Sequence, residues 1–282
     1  MSPEIHTFFE SEALTLESTF YRSTTASKNQ TIIYLHGGGL IWGNRNDLPI
    51  DYIHQFLDNG YHFLAIDYPL APETSLPEIY TYAVKAIEWF CERFDDVLHL
   101  ASNDYSLFGR SAGAYLALLL GNDHSLPCPP KRIISFYGYH SVQEPFYLSP
   151  SKQYQKYPAI PESLINQMIQ KKPLVSGPLE TRYAIYIYCR QTGKWLDMVM
   201  PRKSNRQSFS LSDDELKQLP PTFIAQSKTD QDVPYEIGVH LANTIAHTQF
   251  FSVEDLDHDF DKDPQNPVAV QAYEAVIEWL QS

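Results

Sequence analysis

The chain has 282 residues, 43% of them hydrophobic and 20% charged, with a formal net charge of −13. That length and balance suit one large domain with a buried core and exclude a disordered chain. The acidic surplus repels phosphate backbones and anionic lipid surfaces, so nucleic acid is not an expected partner, and no apolar run reaches the roughly 18 residues of a membrane span.

In chain order, Thr7–Phe9 and Leu14–Phe20 are short β-prone stretches suited to an antiparallel pair. Thr31–Leu35 is a continuous β-branched and apolar run, the pattern of a strand buried on both faces. Asp47–Asn59 has helical spacing through Ile50, Ile53, Phe56 and Leu57, and Gly60 follows as a stop. Tyr61–Ile66 predicts a strand, and Glu78–Phe94 a helix with Ile79, Ala83, Ala86, Ile87 and Phe90 on one stripe. A strand at Tyr105–Phe108, an apolar helix at Ala112–Leu120 and a strand at Ile133–Tyr137 come next. Residues 138–220 are rich in Pro, Tyr, Gln and Lys and lose this rhythm, with helical hints at Glu162–Gln170 and Arg182–Tyr188. The pattern returns with a strand at Thr222–Gln226, a helix at Tyr235–Thr244, a strand at Phe250–Val253 and a helix at Pro267–Leu280. Alternation at this spacing predicts an α/β fold, a mostly parallel sheet with helices on both faces. Residues 1–137 and 221–282 form its core, and residues 138–220 are expected to be an inserted cap with helices of their own.

Residues 1–10 lack the basic start and apolar stretch of a signal peptide. The cysteines, Cys91, Cys128 and Cys189, are few, odd in number and without CxxC spacing. That argues against a disulfide framework or a structural zinc, and each is expected to be a small buried apolar residue of a reduced, cytoplasmic protein.

Gly109-Arg-Ser111-Ala-Gly113 fits G-x-S-x-G and lies between a predicted strand and a predicted helix. Glycines at both ends permit a tight turn that lifts the Ser111 hydroxyl above the sheet edge, over the amides of the next helix. His36-Gly-Gly-Gly39 follows the Thr31–Leu35 strand. Its glycines let main-chain amides converge on a small anion, and the amides of Gly37, Gly38 and Ala112 are the candidate oxyanion hole. A phosphate loop would need a Gly-Lys-Ser/Thr ending, which is absent. His36 is expected to brace the loop. A serine nucleophile needs a base and the base an orienting acid. His258 lies just past the Phe250–Val253 strand and Asp230 just past Thr222–Gln226, at the carboxyl ends where open α/β sheets place their sites. Asp232 competes with Asp230 for the acid role, while Asp255, Asp257 and Asp259 are expected on solvated loop faces. His140, after a strand end, is a weaker pocket candidate. No cluster has metal-ligand spacing, so neither metal nor cofactor is expected.

Taken together, His36-Gly-Gly-Gly39, Asp67-Tyr-Pro-Leu-Ala-Pro-Glu73 with Leu76-Pro77, Gly109–Gly113, Asp230-x-x-Val-Pro234 and His258-Asp-Phe260 resemble the hormone-sensitive-lipase-like esterases of the α/β hydrolases. The resemblance implies the α/β-hydrolase fold, a nucleophile–acid–histidine chain order and a role for Gly37, Gly38, Ser111, Ala112, Asp230 and His258. The chain departs from the family pattern at Arg110, where a small polar residue such as Asp is usual, at Ala114 and at Pro69. The family's N-terminal cap is also expected to be too short here, because the strand leading to His36-Gly-Gly-Gly39 begins near residue 31. The expected activity is that of a carboxylesterase, cleaving small to mid-sized esters through a Ser-His-Asp triad and an acyl-enzyme. A peptidase or amidase with the same triad is the rival enzyme reading, although no local acidic anchor for an amine is evident. A binding protein that keeps the fold but not the reaction is the rival from another class. Arg110 is expected to pair with an acid rather than to select an acidic substrate. The tyrosines at 137, 139, 147, 154, 157, 183, 186 and 188 either line a pocket or build the core of the insertion.

Overall fold

The structure, a computed structural model, describes residues 2–25, 28–201 and 204–282. Among them the β-prone runs form β1 (Glu4–Glu10), β2 (Thr15–Tyr21), β3 (Gln30–Leu35), β4 (His62–Ile66), β5 (Asp104–Arg110), β6 (Ile133–Phe136), β7 (Thr222–Ser227) and β8 (Thr248–Val253). They join one sheet in the order β1-β2-β4-β3-β5-β6-β7-β8. From β3 to β8 the pairing is parallel, and β1 and β2 add antiparallel strands at one edge. The helices are α1 (Ile50–Asp58), α2 (Leu76–Arg93), α3 (Ala112–Gly121), α4 (Pro145–Leu148), α5 (Glu162–Met168), α6 (Leu179–Thr192), α7 (Trp195–Val199), α8 (Asp213–Leu216), α9 (Tyr235–Thr244) and α10 (Pro267–Gln281).

Strand alternation divides the core in two. Ile32 and Tyr34 of β3 pack with Tyr52, Phe56 and the inner face of α10, while Ile33 and Leu35 pack with the stripes of α2 and α3. This is why β3 reads as an unbroken apolar run. Helix α2 begins two residues earlier than its spacing predicts. Ser75 and Glu78 close a capping box there, with Pro77 inside the first turn where no amide is needed. The sheet reverses its direction of growth at β3, with β4 on one side and β5 on the other. The crevice at that switch lies past the carboxyl ends of β3 and β5, which carry the glycine loop and Ser111.

Between β6 and β7 the chain carries α4 to α8 and 3-10 turns at Tyr154–Lys156 and Arg206–Phe209. Helix α6 is longer than its hint and ends on Gly193, whose φ of 69° closes a left-handed cap. Arg182 of α6 grips both oxygens of Glu73 at 2.7 Å and donates to the carbonyls of Ala71 and Ile41. Trp195 Nε1 donates to the Gly39 carbonyl at 2.9 Å. These bonds tie the segment to the glycine loop and to the Asp67–Glu73 stretch.

One expectation fails at the cysteines. Cys91 and Cys128 form a disulfide with their Cα atoms 6.3 Å apart, and only Cys189 stays free, buried in α6. Packing of α2 along α3 brings the end of α2 to the loop after α3, a proximity that a separation of 37 residues conceals. A Cys91→Ala/Cys128→Ala variant should be about 2–4 kcal/mol less stable in urea than the oxidised protein, as cross-link entropy requires. Identical midpoints for the variant and the oxidised protein would show that the bond does not form. Among the described residues, no helix is long and apolar enough to cross a membrane.

Candidate active site

Ser111 is the single residue between β5 and α3, and its backbone is strained, at φ 53° and ψ −117°. The flanking glycines are required by contact. A Cβ on Gly109 would stand 2.2 Å from the Gly113 carbonyl oxygen, and one on Gly113 would stand 2.1 Å from that of Leu35. The turn therefore packs directly on the end of β3 and raises the Ser111 hydroxyl toward the crevice.

His258 and Asp230 converge on it. His258 Nε2 is 2.9 Å from Ser111 Oγ, and His258 Nδ1 is 2.7 Å from Asp230 Oδ2. Asp230 is a well-satisfied acceptor. Its Oδ1 takes the amides of Asp232 (2.7 Å) and Val233 (2.9 Å), and its Oδ2 also takes Gln226 Nε2 at 2.8 Å. With Nδ1–H directed at this carboxylate, Nε2 is left to accept the serine proton. Asp232, the competing acid, sits elsewhere around the ring. Its Oδ2 is 4.0 Å from Nε2 and accepts from Tyr186 at 2.6 Å, while Oδ1 pairs with Arg190 Nε at 3.1 Å. Burial alone would depress the His258 pKa, but the charge and hydrogen bond of Asp230, reinforced by Asp232 and Asp259, hold it well above the ordinary 6.5.

The glycine loop faces the same point. A Cβ on Gly37 would lie 3.5 Å from Ser111 Cβ, so the loop runs beside the serine. Gly38 and Gly39 have φ of 94° and 60°, which glycine adopts freely. Tyr68 donates to the carbonyls of His36 (2.7 Å) and Gly37 (3.1 Å) from behind, and its ring stacks on His36 at 4.1 Å. His36, fully buried, thus braces the loop as its place in the sequence suggests. With the carbonyls taken from that side, the amides of Gly37, Gly38 and Ala112 have no acceptor among the described residues.

Arg110 points away from the crevice. Its Nε donates to the Tyr137 hydroxyl at 2.7 Å and a terminal nitrogen donates to Asp261 Oδ1 at 2.8 Å. It pairs with an acid, as expected, and does not line the cavity. That cavity, of about 280 Å³, opens over Ser111 and His258. Trp42, Tyr154, Tyr157, Tyr183 and Tyr186 form its aromatic side, whereas Tyr137, Tyr139, Tyr147 and Tyr188 are packing residues. The tyrosines between 137 and 188 therefore serve both uses. His140 is not in the cavity, lying instead 3.6 Å from Glu144 and beside the His240 ring. The acidic loop is solvated, as expected, but corrects the expectation that no acidic anchor stands near the serine. Asp255, Asp257 and Asp259 are exposed, yet together with Asp232 they also border the cavity, so acidic groups do stand near Ser111. Sequence reading missed Gln226, Asp261 and Arg190, because nothing in local spacing distinguishes them from ordinary polar residues.

With this geometry in hand, comparison with known proteins is specific. A family described as alpha/beta hydrolase fold matches residues 32–261. A protein of unknown function from Staphylococcus aureus subsp. aureus Mu50 is 31% identical with a TM-score of 0.87, over 99% of this chain and 98% of its own. An alpha/beta hydrolase superfamily protein from Enterococcus faecalis is 31% identical with a TM-score of 0.82 over the same shares, 99% and 98%. An esterase from Rhizomucor miehei, 18% identical with a TM-score of 0.70 over 99% of this chain and 82% of its own, shares the fold. Among curated sequences, a non-reducing polyketide synthase of Penicillium rubens is 32% identical over 145 residues, 48% of this chain and 6% of that much longer protein. The chain spans only a small part of the length of such relatives.

Proposed function

Because this chain belongs to the alpha/beta hydrolase family, we propose that it is a carboxylesterase-type serine hydrolase working through Ser111, His258 and Asp230. The observation that carries this reading is the unbroken line from Ser111 Oγ to His258 Nε2 (2.9 Å) and from Nδ1 to Asp230 (2.7 Å). In the first half-reaction His258 takes the serine proton as Oγ attacks the ester carbonyl. The negative charge passes to the carbonyl oxygen, toward the amides of Gly37, Gly38 and Ala112. His258 then gives the proton to the departing alkoxide, leaving an acyl-serine and a free alcohol. Water, deprotonated by the same imidazole, releases the carboxylic acid and restores the serine. Asp230 keeps Nδ1 protonated and stabilises the imidazolium without itself accepting the proton.

Residues 138–220 act as a cap in this reading, since Tyr154, Tyr157, Tyr183 and Tyr186 close one side of the cavity. The volume of about 280 Å³ and the aromatic lining suit a small to mid-sized ester rather than a long lipid chain. The acidic rim keeps an aminoacyl amide in view as a second substrate. A panel of p-nitrophenyl esters of rising chain length beside aminoacyl p-nitroanilides decides between them. Turnover of the short esters with little anilide cleavage is expected, and the reverse order would make the protein an amidase. A folded protein with neither activity would make it a binder. A cytoplasmic setting, expected from the sequence, has to accommodate the Cys91–Cys128 bond.

The pH profile follows from the charges around His258. A general base must be neutral to act, so kcat/KM falls as pH drops through its pKa. Since Asp230 and its acidic neighbours hold that pKa above 6.5, the acid limb should lie above 6.5, with activity still rising at pH 7 to 8. In Asp232→Asn, which removes one of those negative charges, the limb should move down. A limb at or below 6.5 in the parent would contradict this electrostatic picture.

A further inference from the structure

Beyond the Ser111–His258–Asp230 line stands a second buried network. The Asp261 side chain is fully buried. Its Oδ1 accepts from Arg110 at 2.8 Å and from the Tyr137 hydroxyl at 2.7 Å. Its Oδ2 accepts from the Tyr273 hydroxyl at 2.7 Å, and its carbonyl accepts from Tyr52 at 3.0 Å. Arg110 Nε donates to the same Tyr137 hydroxyl at 2.7 Å, so Arg110, Tyr137 and Asp261 close a triangle. Arg110 is the residue before Ser111, and Asp261 is three residues after His258. The Tyr137 ring lies 4.6 Å from the His258 ring.

Resting on the esterase reading, we infer that Arg110, Tyr137 and Asp261 are positioning residues that hold His258 at hydrogen-bonding distance from Ser111. The loop from β8 to α10 contains His258 but no regular element, and its other carboxylates, Glu254, Asp255, Asp257, Asp259 and Asp263, are exposed. The loop enters the core at Phe260 and Asp261, and Asp261 is its buried charge. Its main anchor is the residue adjoining the nucleophile, so the ion pair sets the distance between the two halves of the site directly. A buried ion pair adds little net stability once both charges are desolvated, but it fixes geometry closely. Tyr137, held in place by Arg110 and Asp261, also forms a wall that limits rotation of the imidazole. The network accounts for Arg110 standing where the family pattern has a small polar residue: its acid partner lies across the site.

The test compares the parent with Arg110→Met/Asp261→Asn, which removes both charges but leaves a carbonyl acceptor for one of the Tyr137 and Tyr273 hydroxyls and an amide facing the other, which can turn to accept from it. With a short p-nitrophenyl ester, kcat should fall by about 100-fold with KM within about threefold, as a small misplacement of a reacting group requires. The downfield proton resonance of the His258–Asp230 hydrogen bond should broaden or shift in the same variant, which a merely stabilising role would not require. Arg110→Lys, which restores a cation, should recover part of kcat. A folded double variant with parent-like kcat and an unchanged resonance would overturn the inference. Should the double variant fail to fold, Tyr137→Phe decides. It keeps the ring and the ion pair, and is expected to lose about tenfold in kcat with KM unchanged; parent-like kcat would overturn the inference. Failure of the esterase reading itself looks different, because the parent would then turn over little or no p-nitrophenyl ester, or Ser111→Ala would be as active as the parent.

Discussion

Ser111→Ala is expected to lower kcat for p-nitrophenyl acetate by about 10⁴- to 10⁶-fold, with the folded structure retained. The magnitude follows from the triad acting as a unit, since without Oγ neither His258 nor Asp230 has a nucleophile to activate. The residual rate would come from the Gly37, Gly38 and Ala112 amides and from binding. Stability should change little. Ser111 occupies a strained backbone conformation, and its side chain makes its hydrogen bond to His258 rather than to a cap or a core partner. Far-ultraviolet circular dichroism and an unchanged melting transition would establish that the loss is chemical. Turnover within a factor of about ten of the parent would remove Ser111 from the reaction.

Asp230→Asn is the second large effect, expected at about 10⁴-fold in kcat. Asn presents an amide as well as a carbonyl to the ring. The Gln226 amide and the main-chain amides of Asp232 and Val233 already favour oxygen at both positions of residue 230. Any orientation therefore leaves an amide opposed to a donor or to Nδ1–H. The tautomer with the proton on Nε2 then gains ground, and that form cannot accept from Ser111. Asp232→Asn is the matched comparison. Its carboxylate does not hold Nδ1 and is engaged by Tyr186 and Arg190, so it should cost less than about tenfold in kcat while lowering the acid limb. Equal losses in the two variants, or a larger one at Asp232, would exchange their roles.

The parts of the site that could be read in the sequence are those set by local spacing. Gly109, Ser111 and Gly113 sit within five residues, and the contacts that forbid a side chain at either glycine arise inside that turn and from the strand end beside it. The strands of the sheet centre were legible for a similar reason, with Thr31–Leu35 and His62–Ile66 buried on both faces. The choice between Asp230 and Asp232 was harder. Both lie in one loop, and the outcome depends on Gln226 and on which carboxylate receives the loop's own amides. Asp261 was not legible at all, because Asp255, Asp257, Asp259, Asp261 and Asp263 alternate along one stretch and only the packing of Tyr52, Tyr137 and Tyr273 singles it out. Helices α4, α7 and α8, of four or five residues each, are too short to show a period. The Cys91–Cys128 bond belongs to the same class, a product of helix packing across 37 residues.

The most direct measurement is covalent labelling with a fluorophosphonate, followed by mass spectrometry of the digested protein. A serine activated by His258 and facing the Gly37, Gly38 and Ala112 amides should form a single phosphonyl adduct on the peptide containing Ser111, with loss of esterase activity in step. The adduct should be absent from Ser111→Ala and strongly slowed in His258→Ala. An active protein that stays unlabelled at Ser111, or that carries its adduct on a different residue while activity falls, would contradict the assignment of nucleophile and base.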